Sequence, residues 1–256
     1  PNMQNIPVKG QLGRELRRYF LPADSEHVLV DADYSQIELR LLAEISGDPV
    51  MIESYKNGAD IHASTAAKVF GIPPELVSKE LRGKAKAVNF GIVYGIGDYS
   101  LSQDLHVSRK AAREYIDNYL ATYVKVDEYL KKTVADAKEN GYTTTMFGRR
   151  RPIPELSAKN RNLQAFGERV AMNSPIQGTA ADIIKIAMIN VANRLKESGL
   201  DARLILQVHD ELIVEADRDC ADKAAEILRY EMENAVKTTV PLSAEVSVGD
   251  NWLCAK

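Results

Sequence analysis

Two carboxylates, Asp31 and Asp33, sit in the run Leu29-Val30-Asp31-Ala32-Asp33-Tyr34-Ser35-Gln36-Ile37-Glu38-Leu39-Arg40, which is apolar up to Asp33 and helical in period beyond it. His27 to Ala32, rich in Val and Leu, reads as a short strand, while Ile37, Leu41, Leu42 and Ile45 recur at the spacing of one helix face. Asp33 therefore falls at a strand end, where an oxygen ligand is exposed, rigidly supported and suited to a hard cation such as Mg2+. The same Asp and Ser would also serve as N-caps of the following helix, and the stretch alone does not choose between these uses. A second acidic group lies in Arg203-Leu204-Ile205-Leu206-Gln207-Val208-His209-Asp210-Glu211-Leu212-Ile213-Val214-Glu215, two β-rich runs that predict a hairpin with His209, Asp210 and Glu211 at its turn. Three ionisable residues are more than a turn requires. Two carboxylate-bearing strand ends on one sheet would hold two divalent ions about 4 Å apart, the clamp used in phosphoryl transfer.

The elements that must position these groups follow from the pattern around them. Asp48-Pro49 and Asp60 each start a helix, the second ended by Gly71. Arg82, Lys86, Phe90 and Tyr94 are each four apart and drift about 40° per step, forming one stripe along ~18 Å of helix. Two cations followed by two rings suit a nucleoside triphosphate lying along the helix; a surface stripe with two core aromatics is the plainer alternative. Gly91, Gly95 and Gly97 weaken the end of that helix. Residues 108 to 140 predict two helices, opened by Ser108 and closed by Gly141, and Tyr142 to Ile153 a small hairpin around Phe147-Gly148. One helix then carries Arg161, Arg169 and Asn173, and a separate one runs from Gln177 to Ser198. An acidic helix and a last alternating strand, Leu242 to Val248, finish the chain. The opening, to about Pro22, reads as an extended segment with Arg14, Arg17 and Arg18 exposed or near a polyanion.

Taken together these residues resemble family A DNA polymerases, the bacterial polymerase I type. Asp33 to Arg40 is similar to the family's first catalytic motif, Arg82 to Gly95 to its second and Gln207 to Glu211 to its third, in the expected order. Pro1 to Pro7 and Asn173 to Asp182 also match, so the resemblance covers the whole chain. It implies an α+β fold: an antiparallel palm sheet with a largely helical fingers insertion, in a C-terminal fragment from which the thumb is absent. The implied division is palm 1–45, fingers 46–175 and palm again 176–256. The implied activity is template-directed addition of deoxynucleotides to a primer 3′-hydroxyl with two Mg2+ ions. On this resemblance Asp33, Asp210 and the backbone carbonyl of Tyr34 bind metal, Glu211 supports them, and Lys86 acts on the phosphates. Glu38, His62, Arg82, Lys86, Phe90 and Tyr94 meet the deoxynucleoside triphosphate, with Glu38 excluding a 2′-hydroxyl. Lys9, Arg169, Asn173, Gln177 and His209 meet primer–template DNA. Lys9 stands where many members have Arg, losing the planar fork, and Gly97 replaces a common Ser. A two-metal nuclease or a non-catalytic DNA-binding module are the rival readings; the nuclease has no use for the stripe of Arg82 to Tyr94 or the gate at Glu38, and the module does not need metal-binding acids.

Composition sets outer bounds. With 256 residues, 45% hydrophobic, the chain is long enough for a substantial core. A net charge of −3 is uneven: residues 141 to 170 hold six Lys or Arg against two Glu, and residues 215 to 256 hold five against nine acids. That asymmetry fits a molecule meeting phosphates on one face, and equally a solvated surface. No apolar run approaches a membrane span and no signal peptide opens the chain, a cytosolic pattern; the resemblance further implies a monomer in the bacterial cytosol, associated with the nucleoid. Cys220 and Cys254 lack metal-ligand spacing and read as free thiols.

Overall fold

The computed structural model describes residues 3–6 and 11–256. Along the chain it contains α1 (Gln11–Arg17), β1 (His27–Tyr34), α2 (Ile37–Ser46), α3 (Pro49–Lys56), α4 (Ile61–Phe70), α5 (Lys79–Val93), α6 (Asp98–Leu105), α7 (Arg109–Thr122) and α8 (Val124–Asn140). There follow β2 (Tyr142–Thr144), β3 (Arg150–Pro152), α9 (Arg161–Ser198), β4 (Ala202–Val208), β5 (Glu211–Asp217), α10 (Ala221–Glu233) and β6 (Ala244–Gly249). The chain divides into a sheet unit (1–37, 181–237 and 242–256) and a helical unit (38–180 and 238–241). The α+β expectation holds.

In the sheet unit four antiparallel strands run in the order β4-β5-β1-β6. The two central strands, β1 and β5, are buried along almost their whole length, which is why they read as nearly continuous apolar runs. Alternation then sorts the side chains of β1. Leu29 joins Val208, Ile213, Trp252 and Ala255 in one core cluster, and Asp31 and Asp33 follow Leu29 on the same face. On the other face Tyr34 donates from its hydroxyl to the carbonyl of Met232 at 2.6 Å, against α10.

The opening segment departs from the extended reading. Residues 11–17 form α1, and Arg17, expected exposed or near a polyanion, is buried at 3% exposure. Its guanidinium lies 4.0 Å from the Trp252 ring centroid, and Phe20 meets the same ring edge-on at 5.3 Å. A cation on an aromatic face and a carboxylate partner, Glu211 at 3.7 Å, make this burial tolerable.

In the helical unit Asp48 and Asp60 cap α3 and α4 through their carboxylates, and Gly71, at φ +64°, ends α4. The stripe-bearing helix α5 is capped by Ser78 and stops at Val93, leaving Tyr94 as its C-cap. Gly95 then turns at φ +64°, and a Cβ there would lie 2.8 Å from Met172 Cε. Ser108 caps α7, Gly141 ends α8, and β2 pairs with β3 as the small hairpin expected.

Helix α9 corrects a second expectation. The pattern predicts one helix through Asn173 and a separate one from Gln177; Pro175, which lies between them, lacks a backbone donor and crowds the preceding turn. Instead one helix runs through Pro175 for 38 residues. Ala171, Ser174 and Ile176 are buried beside it, and Ser174 and Thr179 donate their hydroxyls to the carbonyls of Val170 and Pro175, both at 2.6 Å. Burial of the flanking residues offsets the single lost backbone bond. Among the described residues no helix is long and apolar enough to cross a membrane, and both cysteines are free.

Candidate active site

The acids of the sheet unit are brought together by strand register. Asp33, the last residue but one of β1, is the cross-strand partner of Glu211, the first residue of β5. His209 and Asp210 alone form the turn, so Glu211 belongs to the strand and not to the tip as expected. His209 takes φ +55°, a conformation more accessible to His than to branched residues. The Tyr34 amide donates to the Asp210 carbonyl at 3.2 Å, fastening the hairpin tip to the end of the central strand. Asp33 and Asp210 thus stand side by side, both partly exposed. Burial, and next the Asp210 charge, push the Asp33 carboxyl up to about 6, against the opposing pull of Lys256.

Glu211 is in a different position, at 3% exposure. It accepts a hydrogen bond from Trp252 Nε1 at 2.6 Å, is bonded by the Lys256 ammonium, and has Arg17 at 3.7 Å. Asp31 is buried beneath it; burial, and then the hydrogen bond with Glu211, push that carboxyl up to about 9. Although burial opposes ionisation of Glu211, hydrogen bonds from Asp31, Lys256 and Trp252 hold it below the usual carboxylate range.

Whether these residues suit a hard divalent cation can be judged from the donors. Among the described residues no three His, Cys, Asp or Glu side chains form a ready-made metal cage. Mg2+ does not need one, because it keeps several waters and binds through one or two carboxylates together with substrate phosphates. Two partly exposed oxygen donors, Asp33 at a strand end and Asp210 on the adjoining turn, whose mutual repulsion a cation would relieve, fit that ion.

The helical unit holds the expected stripe. Arg82 bonds Asp60 through Nε at 2.6 Å, Lys86 is exposed with its ammonium 6.0 Å from the Phe90 ring centroid, and Tyr94 is 46% exposed. Tyr94 donates its hydroxyl to Glu38 at 2.8 Å, so the sugar-gate candidate and the terminal ring of the stripe are in contact. His62 is 2% exposed, 5.8 Å from the Phe90 ring, with its Nδ1 accepting from Asn89 at 3.0 Å. Burial, resisted by Asp60 and reinforced by Arg82 and Lys86, lowers its imidazole to about 4, so the ring is neutral at pH 7. Arg169, Asn173 and Gln177 fall four apart on α9; Arg169 and Gln177 are exposed, and Asn173 donates to the Val93 carbonyl at 3.2 Å. In the sheet unit His209 is exposed and bonds the Gln4 carbonyl at 3.2 Å. Lys9 lies outside the described residues.

Three residues around Glu211 were not read into the site: Trp252 and Lys256 carried no expectation, and Arg17 was expected to be exposed or near a polyanion. Asp31 was visible as a carboxylate two residues before Asp33, a spacing that places both on one face of a strand. For Lys256 no local signal existed, since its partners are 45 and 223 residues away.

Residues 1–254 match the family described as DNA polymerase family A. DNA polymerase I of Caldicellulosiruptor bescii is 55% identical over 252 residues, covering 98% of this chain and 30% of that protein. The Bacillus subtilis DNA polymerase I is 50% identical over 256 residues, 100% of this chain and 29% of its own length. The chain thus spans about three tenths of the curated relatives it matches. Among solved structures, the POL domain of Pol1 from M. smegmatis, in complex with DNA primer-template and dNTP, superposes with a TM-score of 0.94 at 42% identity, covering 100% of this chain and 45% of that one.

Proposed function

The chain belongs to DNA polymerase family A, and we propose that its sheet unit is the palm and its helical unit the fingers of a template-directed DNA polymerase. Its reaction would add a deoxynucleotide to a primer 3′-hydroxyl. The observation that carries this reading is the juxtaposition of Asp33, at the end of β1, with Asp210 on the β4–β5 turn, fixed by the Asp33–Glu211 register and by the Tyr34 amide on the Asp210 carbonyl.

Asp33, Asp210 and the Tyr34 carbonyl would hold two Mg2+ ions, which lower the pKa of the primer hydroxyl and neutralise the leaving pyrophosphate. The chain's own residues do the positioning. Arg82 and Lys86 supply the cationic end of the α5 stripe to the triphosphate, and Phe90 and Tyr94 offer their rings to the base and sugar. Lys86 also meets the charge that shifts during transfer, where one electrostatic group is worth about 3 to 4 kcal/mol. Glu38, tied to Tyr94, excludes a 2′-hydroxyl. His62, neutral and buried against Asn89 and Phe90, suits support of α5 better than direct phosphate contact. Arg169, Asn173, Gln177 and His209 present donors for the minor groove, where every Watson–Crick pair offers acceptors at purine N3 and pyrimidine O2, so pair geometry is tested without reading sequence.

The test is primer extension by the full-length protein with Mg2+, primed template and one labelled nucleotide. The wild type should lengthen the primer, and Asp33→Asn and Asp210→Asn should each abolish addition while melting within a few degrees of wild type. A primer shortened by an Asp33-dependent activity would instead make the site a nuclease, and a primer bound but unchanged would make it a binding module. Addition within a few-fold of wild type in either variant would remove the two-metal assignment.

A further inference from the structure

The Lys256 ammonium occupies the position among the acids where a cation is expected. It bonds Glu211 Oε2 and stands 3.5 Å from Asp33 Oδ2. The two contacts are unequal in kind. Glu211, 3% exposed, is fixed by Trp252 and Arg17 as well as by Lys256, whereas Asp33 is 41% exposed and its contact with the ammonium is the longer. Lys256 is therefore tethered at a buried carboxylate and exchangeable at an open one. Its side chain reaches the cluster because Trp252 and Ala255 are locked into the core beside Leu29, which fixes the short segment that carries it.

We propose that Lys256 is a positioning counter-ion for the metal site: without a divalent ion its ammonium neutralises Asp33, and on metal entry it gives up Asp33 while remaining bound to Glu211. This rests on the assignment of Asp33 as a metal ligand. The physical reason is that two facing carboxylates, with Asp210 beside them, repel one another in a partly desolvated site, and a tethered cation removes that penalty when the exchangeable one is away. Metal binding then competes with an internal ion pair. The competition predicts the opposite of what loss of a merely structural lysine would do: removing the ammonium tightens metal binding instead of weakening it.

The test uses Mn2+ as the probe, with the full-length protein free of DNA and nucleotide. Binding that depends on Asp33 is obtained as the difference between wild type and Asp33→Asn. Lys256→Met, which keeps the length of the side chain without its charge, should bind Mn2+ at this site about tenfold more tightly, equivalent to about 1.4 kcal/mol. Lys256→Arg should stay within about threefold of wild type. In metal-free buffer Lys256→Met should melt below wild type, and Mn2+ should raise its Tm by more than it raises that of wild type. Equal or weaker Mn2+ binding by Lys256→Met would overturn the proposal while leaving the metal assignment intact; should that variant fail to fold, Lys256→Gln carries the same comparison. If Asp33→Asn changes nothing in Mn2+ binding, the metal assignment itself fails and the counter-ion role falls with it.

Discussion

Glu211 follows Asp210 directly in the chain, yet the two carboxylates face different surroundings. Asp210 sits on the turn and is partly exposed, whereas Glu211 begins β5 and is enclosed by Trp252, Lys256, Arg17 and Asp31. All its strong interactions point into the protein, so its charge serves the neighbours it neutralises. Truncating it would strand two cations, Lys256 and the buried Arg17, without their partner. Glu211→Ala should therefore lower unfolding stability by about 3 to 5 kcal/mol, the scale for breaking a buried pair from one side. Chemical denaturation of the full-length protein, followed through Trp252 fluorescence, measures it. A loss under about 1 kcal/mol would mean that Glu211 is not the anchor of this cluster.

At the scale of elements, the parts of the site that a local pattern specifies were legible in the sequence, and those that need distant partners were not. The Asp48 and Asp60 caps, the α5 helix that carries the period-four residues up to its C-cap Tyr94, and the β4–β5 hairpin, apart from Glu211 lying in β5 and not at the tip, each depend on residues within a few positions of one another and are present in the structure. Helix α1 was missed because the stack of Arg17 on Trp252 joins residues 235 positions apart, and α9 was split because proline's local penalty hides how much buried packing surrounds it. The contact of Glu38 with Tyr94 is of the same distant kind, linking the first turn of α2 to the end of α5. It allows two roles for Glu38, a steric gate at the sugar or merely a rest for the Tyr94 hydroxyl, and a pair of variants separates them. Glu38→Ala should raise ribonucleotide use relative to deoxynucleotide by about ten- to a hundredfold, the range in which pockets reject a single added hydroxyl. Tyr94→Phe, which removes the hydrogen bond and leaves the carboxylate, should leave that ratio within about twofold. Equal relaxation in both would assign the discrimination to the tyrosine and its tether.

For the molecule as a whole, the sum of charges misleads and their distribution informs. A net charge of −3 would argue against a polyanionic partner, but the β2–β3 hairpin carries Arg149, Arg150 and Arg151 in succession, all exposed, while α10 and the strand after it carry most of the acids of residues 215 to 256. If the hairpin arginines meet DNA phosphates, each contact releases condensed counterions, and each contributes about 0.9 to the slope of log affinity against log salt. Arg150 also lies 4.8 Å from the Tyr142 ring centroid, so its loss would perturb the hairpin as well as the charge. Arg149→Ala combined with Arg151→Ala leaves that ring contact in place. In the full-length protein this pair should reduce the slope by up to about 1.8 and weaken binding to primed DNA to a similar degree whatever its sequence, because phosphate contacts position without reading bases. Lys223→Ala on α10, where the lysine is already paired with Glu226, should leave the slope unchanged. Titration of labelled primer–template at several salt concentrations measures all three proteins. An unchanged slope in the double variant would mean that the basic stretch is a solvated surface and that the phosphates are held elsewhere.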